Sequence, residues 1–256
     1  MIANYHTHTA RCLHAAGAER EYVERALQGG CRVLGFSDHT PYPFPAPYVS
    51  GFRMRMDQLE GYVRTVLDLR AAYRGEIEIR LGLEVEYYPR YFEQLLRAVE
   101  GYPIEYFLLG QHYLQDEMGA PYSGALTRDP RILEGYCSQV IGGMETGCYS
   151  CLAHPDLINF HGDGALYEQQ MRRLCREALR HGLPLEINFL GISESRSYPD
   201  ERFWKIAGEE GCPVVFGCDA HTPAAVLNPE AERRAQELVR RYGLQRVEKL
   251  TLRAPV

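Results

Sequence analysis

Short apolar runs alternate with longer amphipathic stretches along the whole chain. The runs Ile2–Tyr5, Val33–Ser37, Ile77–Val85, Tyr106–Gly110, Ser150–Ala153, Leu185–Asn188 and Val214–Gly217 read as strands. Between them, apolar residues recur at helical spacing with start and stop signals. One stretch opens at Asp57 with Glu60 three residues on, the spacing of a capping box, and carries Leu59, Tyr62, Val63, Val66 and Leu67 on one face. Another opens at Asp129-Pro130, runs through Leu133, Tyr136, Cys137, Val140 and Met144, and stops at Gly147. A third carries Met171, Leu174, Cys175, Ala178 and Leu179 and stops at Gly182, while Pro199 and Pro229 open two more. Seven βα units without a Ser/Gly-rich linker predict a parallel sheet in a single α/β domain over residues 1–256. That many units usually close into a barrel, with an open doubly wound sheet as the alternative. Thr40–Met56, with four prolines, breaks the pattern and is expected to cover one mouth of the barrel.

Composition narrows the class. Hydrophobic residues make up 45% of the chain and charged residues 24%, which excludes a disordered protein. The formal net charge is −6, from 28 basic and 34 acidic side chains with no run of like sign. That balance argues against nucleic acid or an anionic membrane as the main partner. No apolar window approaches the ~18 to 20 residues of a spanning helix. Met1–His6 carries neither a basic region nor an apolar stretch of signal-peptide length, so a cytoplasmic protein is expected. Its eight cysteines are then expected as reduced thiols; Cys137, Cys175, Cys212 and Cys218 lie in apolar stretches, where a thiol acts as a small hydrophobe.

The histidines carry the chemistry. His6, His8 and His14 follow the first strand, His39 the second, His112 the fourth, His154 the fifth and His221 the seventh; His161 and His181 lack that placement and receive no role. The third strand instead ends in Gly82-Leu83-Glu84. Ile77, Ile79, Leu81, Leu83 and Val85 share one of its faces, which leaves Glu84 on the other, toward the barrel mouth. In parallel barrels the carboxyl ends of the strands converge on one face. Imidazoles and carboxylates gathered there suit metal ions, and their number exceeds the roughly four ligands of one tetrahedral zinc. Two or three ions are implied, with Glu84 bridging a pair, an arrangement suited to phosphoryl hydrolysis.

In the motifs His6-Thr7-His8-Thr9, His14, Ser37-Asp38-His39, Gly82-Leu83-Glu84, Gly110-Gln111-His112, Ala153-His154-Pro155 and Asp219-Ala220-His221, the chain resembles the PHP (polymerase and histidinol phosphatase) superfamily. The likeness is greatest to its monofunctional histidinol-phosphate phosphatases and spans nearly the whole chain. It implies a distorted (β/α)7 TIM-like barrel, the PHP fold, with a trinuclear centre. One metal would take His6, His8, Glu84 and Asp219, a second Glu84, His112 and His154, and a third His14, His39 and His221. The resemblance further implies a phosphomonoesterase of histidine biosynthesis acting on a small phosphorylated substrate, with Glu84, Asp219 and His221 catalytic. Zinc, iron and manganese all suit such mixed ligands.

Expectations for the substrate are looser. The family's phosphatases commonly carry an arginine soon after the glycine that follows the position of Asn188. Here Gly191 is followed by Ile192-Ser193-Glu194-Ser195-Arg196, and Arg196 is expected to bind phosphate from a shifted position near Asn188. Arg53 and Arg55 could clamp a phosphate with bidentate forks, and Glu194 and Asp200 could meet an amine. Cys12 is expected to be a small loop residue, and Cys148-x-x-Cys151 rests on spacing alone. An amidohydrolase-type barrel is the rival enzyme class, but its usual bridging lysine has no counterpart. Lys205 lies in a helical stretch and Lys249 near the C-terminus, and these are the only lysines. A phosphoesterase for other small phosphomonoesters, nucleotides or nucleic-acid ends is the alternative within the superfamily; oligomeric state is not readable.

Overall fold

The computed structural model describes residues 1–255. Eight parallel strands lie side by side in sequence order: β1 (Ala3–Asn4), β2 (Val33–Phe36), β3 (Glu78–Val85), β4 (Tyr106–Leu109), β5 (Tyr149–Leu152), β6 (Leu185–Asn188), β7 (Pro213–Gly217) and β8 (Gln245–Arg246). Past its last residue each of β1 and β7 runs on toward the other, and Thr7 and Ala220 form a parallel bridge. There the His8 N–H donates to the Ala220 carbonyl at 3.0 Å and the Ala220 N–H to the His6 carbonyl at 3.2 Å. At the other end of β7, Pro213 and Val214 pair instead with Gln245 and Arg246 of β8. The result is a TIM-like barrel distorted at one seam: β1 flanks β7 at the carboxyl end and β8 flanks it at the amino end. Seven of these strands match the apolar runs within about a residue at most ends. β8 escapes the pattern because it is two polar residues long, at least partly exposed, and carries no apolar run.

Helices α1 (Glu19–Gln28), α2 (Leu59–Ala72), α3 (Phe92–Val99), α4 (Pro130–Glu145), α5 (Gly164–Arg180), α6 (Phe189–Ser193), α7 (Glu201–Glu210) and α8 (Pro229–Tyr242) connect the strands. The period-two alternation of β3 divides its residues as expected. Ile79, Leu81, Leu83 and Val85 belong to the outer core with Tyr62 and Val66 of α2 and Leu95 of α3. Tyr5, Val33, Tyr106, Leu108, Cys151, Ala153 and Val215 fill the barrel interior, joined by Leu250 from the C-terminal segment. Tyr106, buried in that interior, donates its hydroxyl to the Tyr5 carbonyl at 2.7 Å. A filled interior leaves only the carboxyl ends of the strands for a site.

The start of α2 departs from expectation. Met56–Gln58 form a 3₁₀ turn, and the Gln58 side chain accepts from the Arg55 N–H at 2.8 Å. Asp57 instead pairs with Arg55 at 3.1 Å, so the Asp57/Glu60 capping box is not used. Pro199 likewise precedes the start of its helix: Asp200 caps α7, accepting from the Arg202 N–H at 2.9 Å. Thr40–Arg55 contains no helix, and its Gly51 and Phe52 line the mouth of the barrel, as the proline-rich composition predicts. All eight cysteines are free thiols. Cys148 and Cys151 are engaged separately, donating to the Thr146 and Pro184 carbonyls at 3.6 and 3.3 Å.

Candidate metal centre

All nine side chains expected to bind metal meet at the carboxyl face. Glu84, the penultimate residue of β3, stands at their centre. Its Oε2 lies 3.4 Å from His6 Nε2, 3.5 Å from His8 Nε2 and 3.0 Å from His39 Nδ1. Its Oε1 lies 2.8 Å from His154 Nε2 and 3.7 Å from His112 Nε2. Asp219, just beyond β7, sets Oδ1 at 3.0 Å from His8 Nε2, 3.5 Å from His6 Nε2 and 3.4 Å from His221 Nδ1. His14, carried on the turn after β1, completes the cluster, with ring centroids 4.5 Å from His221 and 5.4 Å from His39. His6, His8 and Asp219 form one triad of ligand atoms within 4.8 Å of one another; His6, Glu84 and His154 form a second, and His14, His39 and His221 a third.

The donor set fits divalent cations. Among the described residues, His6 Nε2, His8 Nε2, His39 Nδ1, His154 Nδ1, His221 Nε2 and Glu84 Oε2 are buried without a hydrogen-bond partner. Each such atom costs about 1–3 kcal/mol when left unsatisfied. So many orphans in one place are tolerated when cations take up their lone pairs. Electrostatics point the same way. Burial pushes the Glu84 carboxyl upward, yet His39, His112 and His6 outweigh it and hold the group well below the usual carboxylate range. Burial depresses His6, but Glu186, Asp219 and Glu84 raise it well above its ordinary value; Asp219 and Asp38 do the same for His8. His39, dominated by burial, falls to about 3. Cys12 is fully buried beside this cluster, and His14, His221 and His8 outweigh burial to bring its thiol down to about 3.

A second ring of acceptors pins the far nitrogen of several imidazoles, and most of it was not anticipated. Glu186 of β6 accepts from His6 Nδ1 at 2.8 Å and Glu86 from His112 Nδ1 at 2.9 Å. Asp38 lies 3.4 Å from His8 Nδ1 and accepts from the Thr9 N–H at 3.2 Å. The Cys12 and Asp219 carbonyls accept from Nδ1 of His14 and His221 at 2.7 and 3.0 Å. Such partners fix the tautomer and aim the other nitrogen at the ion. Two glycines make room for the acids: a Cβ on Gly110 would stand 2.0 Å from Glu84 Oε1, and one on Gly217 1.7 Å from Glu186 Oε1. His154 and Asp219 hold φ of 29° and 48°, in a region costly for residues with a Cβ, as is common where side chains are aimed for chemistry.

Above the cluster opens a cavity of about 440 Å³. His14, His39, His112, Asp219 and His221 form its floor, and Phe52, Tyr113, Tyr122, Tyr198, Glu194 and Arg196 stand around it. Arg196 is exposed at the cavity rim, its Nε donating to Glu194 at 2.9 Å and an Nη to the Tyr198 hydroxyl at 3.2 Å. Asn188 lies below the cavity wall. Its Nδ2 donates to Asp219 Oδ2 at 3.1 Å and to Glu186 at 2.9 Å, so it orients a carboxylate of the cluster instead of facing the cavity. The two covering-loop arginines do not form a phosphate clamp. Arg53 is buried in an ion pair with Glu86 and Glu117, because these acids out-compete solvent for its fork, and Arg55 is exposed against Asp57. Asp200 is occupied by Arg202 and Tyr167.

A parallel barrel with this ring of histidines and acids at the carboxyl ends of its strands defines a metal-binding barrel protein. The model of the PHP domain family matches residues 4–189, and the chain belongs to that family. It is 29% identical over 239 residues to a probable histidinol-phosphatase of Deinococcus radiodurans, covering 88% of both chains. It is 24% identical to the histidinol-phosphatase of Bacillus subtilis, covering 84% of this chain and 92% of that one. Among solved structures it is similar to the histidinol phosphate phosphatase of Lactococcus lactis, crystallised with zinc, L-histidinol and phosphate. That pair has a TM-score of 0.74 at 17% identity, covering 96% of this chain and 95% of the other.

Proposed function

We propose that the chain is a metal-dependent phosphomonoesterase that hydrolyses L-histidinol phosphate to L-histidinol and phosphate. The observation that carries this reading is the convergence of His6, His8, His14, His39, Glu84, His112, His154, Asp219 and His221, with unpartnered lone pairs, under an open cavity. The relatives named as histidinol-phosphatases, matched over most of their length, support the choice of substrate. In this reading two or three divalent ions, zinc, iron or manganese, sit at the three ligand sets. Bound there, they supply Lewis-acid polarisation of phosphoryl oxygens and lower the pKa of water.

The protein's own side chains then divide the remaining work. Arg196, on the cavity wall, offers its guanidinium to the phosphate, which displaces Glu194 from it. Glu84 spreads one carboxylate over five imidazoles, and Asp219 and His221 face the cavity, so these three are the catalytic candidates. Asn188 holds Asp219 in place through its Oδ2. Phe52, Tyr113, Tyr122 and Tyr198 exclude water from the reacting end and offer ring faces to an imidazole-bearing leaving group. A place in histidine biosynthesis and a cytoplasmic location go with this reading. Among the described residues, no helix is long and apolar enough to cross a membrane.

The test is phosphate release from a panel of phosphomonoesters after chelation and add-back of single metals. Histidinol phosphate is expected to exceed nucleotides and sugar phosphates in kcat/KM by at least about tenfold, and chelation to abolish release. A chelated protein that keeps full activity, or one that treats the panel alike, overturns the reading.

A further inference from the structure

Arg53 sits where a single side chain touches three parts of the site. It is 2% exposed, although it belongs to the loop that covers the barrel mouth. One Nη donates to Glu86 Oε2 at 3.1 Å and to the Thr40 carbonyl at 2.9 Å, the other to Glu86 Oε1 at 3.0 Å. Nε donates to Glu117 at 2.8 Å, in the segment after β4, and Glu117 also accepts from the Tyr48 hydroxyl at 3.0 Å. The ring of Phe52 lies 4.4 Å from the guanidinium carbon, and that ring meets His39 edge-on at 5.3 Å.

We infer that Arg53 is a positioning residue that locks the covering loop to the metal ligands His112 and His39. Glu86 passes the connection to His112, accepting from its Nδ1 at 2.9 Å, while Thr40 is the next residue after His39. Two carboxylates face one guanidinium, so the surplus negative charge is left to the His112 Nδ1–H. That strengthens its hydrogen bond to Glu86 and makes the opposite nitrogen a better metal donor. A loop that lifts away withdraws Arg53 from Glu86 and loosens His112. Closure of the mouth and grip on the metal therefore rise and fall together. A bidentate fork is needed, since Glu86 uses both oxygens, and lysine cannot reproduce it.

The inference rests on His112 binding a metal, so its test begins with metal content. Zinc per chain and zinc affinity, by chelator competition, are measured for wild type, Arg53→Lys, Glu86→Gln and Glu117→Gln, with thermal unfolding of each metal-free form. Arg53→Lys and Glu86→Gln are expected to weaken one ion per chain by about 10–100-fold. Glu117→Gln, which loosens the loop and removes the second carboxylate from Arg53, is expected to raise KM and to weaken the same ion, by a smaller factor than Arg53→Lys does. If the Arg53→Lys and Glu86→Gln variants lower the metal-free Tm yet bind every ion as wild type does, the residue is structural and the inference is overturned. Should one of these two variants fail to fold, the other decides by the same readout. A wild type that binds no zinc refutes the metal-centre reading itself, an outcome distinct from both.

Discussion

An imidazole directs one nitrogen at a cation more firmly when the other is held. This explains why Glu186, Glu86 and Asp38 lie behind His6, His112 and His8. The candidate ligands themselves were legible because each falls at or after the end of a strand in a recognisable motif. Their supports were not, since they look like ordinary strand-end acids. For Glu86 a signal did exist: it stands two residues after Glu84 and so shares its face. For Glu186 the strand Leu185–Asn188 was too short to show which face was inward. Replacing Glu186 by Gln is expected to weaken metal binding by about 10–100-fold, as read by chelator competition. Gly217→Ala should do the same without touching any acid, because its Cβ would stand 1.7 Å from Glu186 Oε1 and drive the carboxylate off His6. Unchanged affinity in both variants would show that Glu186 does not orient the site.

At the scale of elements, strand order and helix positions were readable from periodicity, whereas helix starts and loop contacts depended on partners far along the chain. The Thr40–Met56 segment was recognised as a cover, but the destination of Arg53 was not, because Glu86 and Glu117 reach it only through the fold. The docking of α7 onto the end of β5 is a similar case. Buried Asp156 accepts from the Asp200 N–H at 2.7 Å and from Trp204 Nε1 at 2.8 Å. Burial raises its carboxyl to about 7, against which those hydrogen bonds are insufficient. A raised folded pKa means the folded state holds the proton more tightly. The contribution to stability is thus fully present below the ordinary carboxylate range and is lost as pH rises toward 7, by about 1.4 kcal/mol per pH unit within that window. Asp156→Asn keeps the acceptor and removes the ionisation. Its Tm relative to wild type is expected to be higher at pH 8 than at pH 5, and an equal difference at both would contradict this account.

For the molecule as a whole, the candidate metal centre draws on β1, β2, β3, β4, β5 and β7, so cations bound there would enter the folding equilibrium, since the unfolded chain has no such site. One ion at a hundred times its Kd adds about 2.7 kcal/mol, or roughly 5–10 °C in Tm for a chain of this size. The sign of its pH dependence follows from His6 and His8. In the metal-free protein the acids around them outweigh burial and raise both above 6.5. Their protonated forms therefore stabilise that state fully below about pH 6.5, and this is lost as pH rises through the raised folded values. Cations must displace those same protons, so the loaded protein gains as pH rises. The two stability profiles diverge. The Tm gap between protein with excess zinc and protein with chelator is expected to be small at pH 6 and to widen through pH 7 and 8. A gap that stays level across that range would mean that the ions bind elsewhere than at these imidazoles.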